Sequence, residues 1–323
     1  MTINLKWFTS SKTHYMLTRK TKHLLLKIIS MFSVVRGYNI PIIALAQYLS
    51  AIFILAPEKH ALDILLDFNL FIIVLASSLT IASGYIINNF YDSKKDLINR
   101  PNKSMLDRLV SQKTKLQVYF SINFIVFLLA FFVSIRAVLF FSTYIFLIWF
   151  YSHKLKKIVV VGNLTASLLA VLPFFAILLY YKNFYEVIFA HATFLFLLLL
   201  IREMIKDLEN IKGDIANDYK TIPVLFGENS SKKIITILTI FTIIPIYFLI
   251  EIYDVGYMDS YFYISLIVLI FFLQMLWKSN EKADYLKLHN VLKFLVVSGV
   301  FCIVLINPET LIYGKKIIQT IAN

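Results

Sequence analysis

Two short polar stretches of this chain hold oxygen ligands at helical spacing. The first runs Asn88-Asn89-Phe90-Tyr91-Asp92-Ser93-Lys94-Lys95-Asp96, in which Asn88, Asp92 and Asp96 recur every four residues. On a continuing helix these three form one slowly drifting stripe. The second runs Asp207-Leu208-Glu209-Asn210-Ile211-Lys212-Gly213-Asp214, where Asp207, Asn210 and Asp214 make another stripe and Arg202 and Lys206 lie one turn earlier. Oxygen donors without His or Cys select hard cations, and Mg²⁺ characteristically takes one or two carboxylates, several waters and the oxygens of a substrate phosphate. Asp92, Asp96, Asp207 and Asp214 therefore suit two Mg²⁺ ions clamping a diphosphate, whose developing charge the metals would neutralise as it leaves. The single cysteine, Cys302, excludes disulfides and sulfur-rich metal sites.

Both stretches close apolar segments, which must position them. Of 323 residues, 59% are hydrophobic and 16% charged, with a mean hydropathy of +0.75. That composition excludes a soluble globule and points to a polytopic membrane protein. Charge-free runs of the length a bilayer requires place nine spans near residues 38–56, 68–91, 116–134, 137–152, 159–181, 186–201, 234–250, 260–277 and 288–306. The run from Leu116 to Tyr151 would be ~54 Å long as one helix, against a hydrocarbon core of ~30 Å. Arg136 is therefore expected to mark a tight hairpin.

Charge orients the chain. With a cytoplasmic N-terminus, 27 of the 32 Lys and Arg residues fall on cytoplasmic segments and five outside, a strong positive-inside bias. The net charge of +13 thus reads as topology, and no nucleic-acid partner is expected. Residues 1–35 form a basic cytoplasmic lead-in. Its apolar stretch from Leu24 to Val35 is broken by Lys27 and lacks a cleavage site, so it is not a signal peptide. It reads either as an amphipathic segment on anionic headgroups or as a disordered tail. Residues 308–323 are expected as a non-cytoplasmic tail, and the protein as a multi-pass component of a bacterial cell membrane. Eight of the nineteen acidic residues, Asp67 among them, are scattered on outside segments as solvated loop charges.

Asp96 and Asp214 are 118 residues apart, and their host spans, the second and the sixth, are four spans apart. An even offset makes the hosts parallel, so both stripes face one compartment. The expected fold is an all-α polytopic membrane protein of about nine transmembrane helices around a central cavity, in two pseudo-repeated halves. Each half offers one acidic stripe to the cavity, and the apolar helices below would receive a hydrocarbon tail.

At these residues the chain resembles the UbiA superfamily of membrane prenyltransferases. The run from Gly84 to Asp96, followed by Ile98-Asn99-Arg100-Pro101-Asn102-Lys103, resembles that family's first signature, N-D-x-x-D-x-x-x-D with N-R-P after it. Arg202-Glu203 through Lys206-Asp207 to Gly213-Asp214, with Thr221-Ile222-Pro223 beyond, is similar to the second, and Tyr151 to Lys156 with Gly162-Asn163 to the segment linking the fourth and fifth spans. The resemblance makes residues 36–307 a nine-helix prenyltransferase domain. It implies Mg²⁺-dependent transfer of a prenyl group from its diphosphate to a lipophilic acceptor. By motif position, Asn88, Asp92, Asp96, Asp207 and Asp214 would hold metal and diphosphate. Asn39, Arg100, Lys103, Tyr151, Lys156, Arg202 and Lys206 would contact substrate, with Arg36 entering the first span beside Asn39. Tyr85, Tyr91 and Tyr151 would be placed to shield a carbocation. The I-N-R-P-N-K and R-E-x-x-K-D runs look most like members that act on a glycerol-phosphate ether lipid, with an aromatic quinone precursor as the other acceptor class.

Two positions depart from the family pattern: Asn89 stands where the first motif has its first Asp, and Asn210 where the second has its middle Asp. An amide offers a carbonyl oxygen but no charge, so a weakened or rearranged metal site is expected. These two residues also support a rival reading, a non-catalytic prenyl-lipid binding protein. A transporter is the rival from another class. It would place polar groups at mid-bilayer, whereas these acids stand at one edge.

Overall fold

In the computed structural model of the chain, which describes residues 19–310, the regular elements are all helical. They run α1 (Arg19–Val34), α2 (Ile40–Ser50), α3 (Ala61–Leu65), α4 (Phe68–Asn99), α5 (Pro101–Asp107), α6 (Gln112–Val133), α7 (Ile135–His153), α8 (Val161–Tyr181), α9 (Glu186–Ile215), α10 (Ile222–Phe241), α11 (Ile243–Tyr247), α12 (Asp259–Lys278) and α13 (Lys282–Cys302). Among the described residues eight helical stretches are long and apolar enough to cross a membrane, and the shorter helix Ile40–Leu55 stands where the first span was expected. Lys6, Lys12, Lys315 and Lys316, counted in the charge bias, lie outside the described residues.

Helices α4 and α9, with 32 and 30 residues, are ~48 and ~45 Å long at 1.5 Å per residue. Both exceed a ~30 Å hydrocarbon core, and the excess at each C-terminal end carries an acidic motif. They are also the central helices: 72% and 56% of their most apolar stretches are buried, against 17–39% for the other spans. Small residues explain the position of α4. Ala76, Ser77, Ser78, Thr80, Ala82 and Ser83 are buried on it, and the Thr80 hydroxyl donates to its own helix at Ala76 O (2.8 Å), so neighbouring backbones approach closely without unpaired polar groups. Gly84 faces α7 so tightly that a Cβ there would lie 3.0 Å from Ile148 Cγ2.

The break between α6 and α7 is a single extended residue, Ser134, whose Oγ accepts from Ala137 N at 3.1 Å. The hairpin thus turns two residues before Arg136, because a serine N-cap satisfies the free amides of the new helix. Pro173 inside α8 has no N–H for the carbonyl four residues earlier, and the Tyr144 hydroxyl of α7 donates to that carbonyl, Leu169 O, at 2.9 Å. Gln47 of α2 donates to Pro173 O at 2.9 Å and to Ser77 Oγ at 3.1 Å, so three helices share this polar knot. Asp67, read from sequence as a loop charge, instead caps α4: it accepts from Asn69 N and Leu70 N and from the Tyr180 hydroxyl (2.8 Å). Helix α1 docks on α5 through Ser30 Oγ to Leu106 O and Ser33 Oγ to Asp107 Oδ1, each 2.8 Å.

Candidate active site

The ends of α4 and α9 meet at Gly213. Its amide donates to Asn99 Oδ1 at 3.1 Å, and a Cβ at this position would fall 2.3 Å from Asn99 Nδ2. Without a Cβ at Gly213, the side chain of the last residue of the first motif's helix rests directly on the second motif's helix. Lys282 of α13 donates to Asn99 O at 2.5 Å, tying a third helix to the junction. A cleft opens beside it, lined on α4 by Asn88, Asp92, Lys95 and Asp96 and on α9 by Glu203, Lys206, Asp207 and Asn210.

The short connection between α7 and α8 supplies a lysine to this cleft. A 3₁₀ turn over Leu155–Lys157 leads to Val160, which holds φ = 65°, a conformation that β-branched residues avoid. The connection then passes so close to Gly162 that a Cβ there would lie 3.1 Å from Lys156 O. The tight path turns Lys156 inward, where its Nζ donates to Asp92 Oδ1 (2.6 Å) and Asn88 Oδ1 (3.1 Å). Tyr151, at the end of α7, and Asn163, at the start of α8, also line the cleft, and Asn163 Nδ2 donates to Asp207 Oδ2 at 2.7 Å.

The chain leaving α9 adds a tyrosine. Asp218 takes a left-handed conformation (φ = 56°), one that aspartate tolerates in turns, and Tyr219 N returns to Asp214 O at 3.0 Å. The Tyr219 hydroxyl donates to Asp92 Oδ1 at 2.6 Å, while its ring lies 4.1 Å from Lys95 Nζ. Burial and the adjacent Asp92 carboxylate push this hydroxyl well above the usual phenol range, so it stays a hydrogen-bond donor at neutral pH. Lys95 Nζ itself lies 2.5 Å from Asp214 Oδ1.

Ion pairs organise the remaining charges. Lys206 pairs with Glu203 at 2.7 Å, and Arg100 with Glu209 at 3.1 Å. Asp96 and Asp207 have no cation within ion-pair distance among the described residues. Asn210 turns its Nδ2 to Lys206 O (2.7 Å), leaving its buried Oδ1 without a partner among the described residues. Asp96, Asp207, whose Oδ2 also accepts from Asn163, and the Asn210 carbonyl are thus the hard-oxygen donors of the cleft that could hold a cation. Among the described residues no three His, Cys, Asp or Glu side chains gather as a metal cluster, because lysines stand between the carboxylates.

Of the residues singled out from sequence, Asn88, Asp92, Asp96, Arg100, Tyr151, Lys156, Lys206 and Asp207 all line the cleft. Asp214 lies beneath it, fully buried under Lys95 and Thr221. Three stand apart from its lining: Lys103 pairs with Asp107 one helical turn on (2.6 Å), Arg202 lies on His289 (3.2 Å) and Asn39 on Tyr85 (3.4 Å). Asn89 also faces elsewhere. It donates to Asp107 Oδ2 (2.9 Å) and accepts from Lys115 (2.7 Å), so this neutral residue belongs to a network joining α4, α5 and α6. Sequence reasoning overlooked Lys95 and Tyr219 as site residues. Their signals were an interior lysine between two ligand-bearing positions and a tyrosine in the polar turn after the second motif.

A helical bundle whose two central helices overrun the bilayer to meet in a polar, carboxylate-lined cleft defines a multi-pass integral membrane protein with a site at one membrane edge. Residues 44–298 match the UbiA prenyltransferase family, and the chain belongs to that family. It is 33% identical over 162 residues to digeranylgeranylglyceryl phosphate synthase from Thermococcus sibiricus, an alignment spanning 50% of this chain and 57% of the relative. It is 29% identical over 231 residues to the synthase of the same name from Sulfurisphaera tokodaii, spanning 67% of this chain and 78% of the relative. The solved structure of a UbiA homologue from Archaeoglobus fulgidus bound to GPP and Mg²⁺ superposes with a TM-score of 0.63 at 14% identity, over 85% of this chain and 99% of that one. That likeness establishes the fold.

Proposed function

We propose that this chain is a Mg²⁺-dependent prenyltransferase that moves a polyprenyl group from its diphosphate to a lipophilic acceptor, a glycerol-phosphate ether lipid before an aromatic quinone precursor. The observation that carries this reading is the meeting of both acidic motifs in one cleft with basic side chains interleaved among them. A diphosphate needs both signs: cations for its oxygens, and carboxylates for the divalent ion that accompanies it. Among the described residues, Asp96 and Asp207 have no cation within ion-pair distance and Asn210 Oδ1 has no partner, so the residues present fit Mg²⁺. With Asn88 and Asp92 they would hold it, and when bound it supplies positive charge beside the leaving diphosphate.

The chain's own residues do the rest. Lys156, Lys206 and Arg100 face the cleft and would orient the diphosphate oxygens, releasing their present carboxylate partners to do so. Tyr219, also in the cleft wall, holds the Asp92 carboxylate through its hydroxyl. Tyr151 lines the same cleft, where an aromatic face would shield positive charge developing on the allylic carbon. The hydrocarbon tail would lie against the apolar helices below the cleft, away from water. The match of the motif-flanking runs, and the named relatives from Thermococcus sibiricus and Sulfurisphaera tokodaii, support the ether-lipid acceptor. The positive-inside bias supports a cleft opening to the cytoplasm.

Purified protein incubated with geranylgeranyl diphosphate, Mg²⁺ and a panel of acceptors tests the proposal by mass spectrometry of the lipid products. A prenylated glycerol-phosphate lipid is expected. No product with any acceptor, and none after Asn210→Asp, would overturn the reading in favour of a non-catalytic lipid-binding protein.

A further inference from the structure

Lys95 lies where the two motifs come closest, and its surroundings are those of a bound cation. Its Nζ contacts Asp214 Oδ1 at 2.5 Å, with the lysine side chain 16% exposed and the aspartate fully buried. The Tyr219 ring covers it at 4.1 Å, and that tyrosine's hydroxyl is bound to Asp92. The carboxylates of Asp92 and Asp207 also act on it electrostatically. One ammonium therefore answers to acids from both motifs, as a bridging divalent ion would. Burying it so deeply without these partners would be strongly unfavourable, so Lys95 and Asp214 are mutually required.

Charge bookkeeping points the same way. Asn210 faces the same cleft from α9 and is one negative charge short of the acid that the second motif calls for, while Lys95 adds one positive charge. Together they shift the cleft by two charges, the charge of one Mg²⁺. A second divalent ion seated against Asp214 would have to displace or face a fixed ammonium at contact distance, which is repulsive. Asp96 and Asp207, which have no cation within ion-pair distance among the described residues, remain available to a single ion.

We propose that Lys95 is a resident counter-cation that replaces one of the two divalent ions suggested by the acidic stripes, so that this chain takes its diphosphate substrate with one divalent ion. The inference rests on the prenyltransferase reading and specifies its metal stoichiometry. Binding of Mn²⁺ to the full chain in detergent, followed by loss of the free-ion electron paramagnetic resonance signal, tests it. Inorganic diphosphate or geranylgeranyl thiolodiphosphate is present as the unreactive anion. The expected result is one Mn²⁺ per chain with a non-cooperative isotherm, retained in Lys95→Arg and rising to two in Lys95→Met/Asn210→Asp. Two Mn²⁺ in the wild-type protein, or one in a double variant whose thermal melt is intact, would overturn the role given to Lys95 and leave the prenyltransferase reading standing. If the double variant does not fold, the wild-type count alone decides. Binding of neither Mn²⁺ nor diphosphate would overturn both.

Discussion

Asp92 shows how single residues divide the work of the cleft. It takes Lys156 and Tyr219 at 2.6 Å each, so one side chain receives a group from the α7–α8 connection and another from the turn after α9. A hydrogen bond to a charged group contributes about 1.5–3 kcal/mol. Tyr219→Phe is therefore expected to lower kcat/KM by about tenfold or more and the melting temperature by a few degrees; unaltered kinetics would show that Asp92 needs no support from this side. The carboxylates were legible in the sequence because their spacing repeats a helical period beside apolar runs, and Lys156 through the resemblance of the segment that carries it. Lys95 and Tyr219 were not, since one occupies a position the motif leaves open and the other depends on how the chain reverses at Asp218. Motif position also placed Lys103, Arg202 and Asn39 in the site. Asp107 is readable as the i,i+4 partner of Lys103, whereas nothing in the linear order shows that His289 and Tyr85 lie against Arg202 and Asn39.

At the scale of elements, the cleft exists because α4 and α9 are long and pack together around Gly213 and the Lys95–Asp214 pair. Their excess length over the bilayer was readable from the polar motifs that follow each apolar run. Their contact was not, because it requires Asn99 and Gly213, 114 residues apart, to meet. Gly213→Ala would drive a methyl group into Asn99, and overpacking of this kind costs about 1–3 kcal/mol. A lower melting temperature and a loss of diphosphate binding are expected together, with partial recovery of both in Gly213→Ala/Asn99→Ala. Binding lost without any change in melting would mean that the glycine serves the ligand directly rather than the helix junction. The α6–α7 hairpin shows the finer limit of sequence reading: charge pointed to Arg136, while the backbone breaks at Ser134, where a hydroxyl can cap the next helix.

For the whole molecule, hydropathy and charge bias carry the topology, and the motif ends of the parallel helices α4 and α9 face one side. In a Cys302→Ser background, a membrane-impermeant maleimide is expected to label Lys113→Cys, at the exposed start of α6, only from the cytoplasmic face and Glu58→Cys only from the opposite face. The reverse pattern would invert the topology. The central claim is that one cleft, built from both halves, breaks the bond between a prenyl chain and its diphosphate. Its most direct test is the rate at which purified protein releases radiolabelled diphosphate from geranylgeranyl diphosphate in the presence of acceptor. That release should require Mg²⁺, stop on chelation, and fall at least a hundredfold, the scale of losing one electrostatic contact to a transition state, in Asp92→Ala and in Asp207→Ala, both still folded. Release that persists in either variant at near wild-type rates would contradict the account.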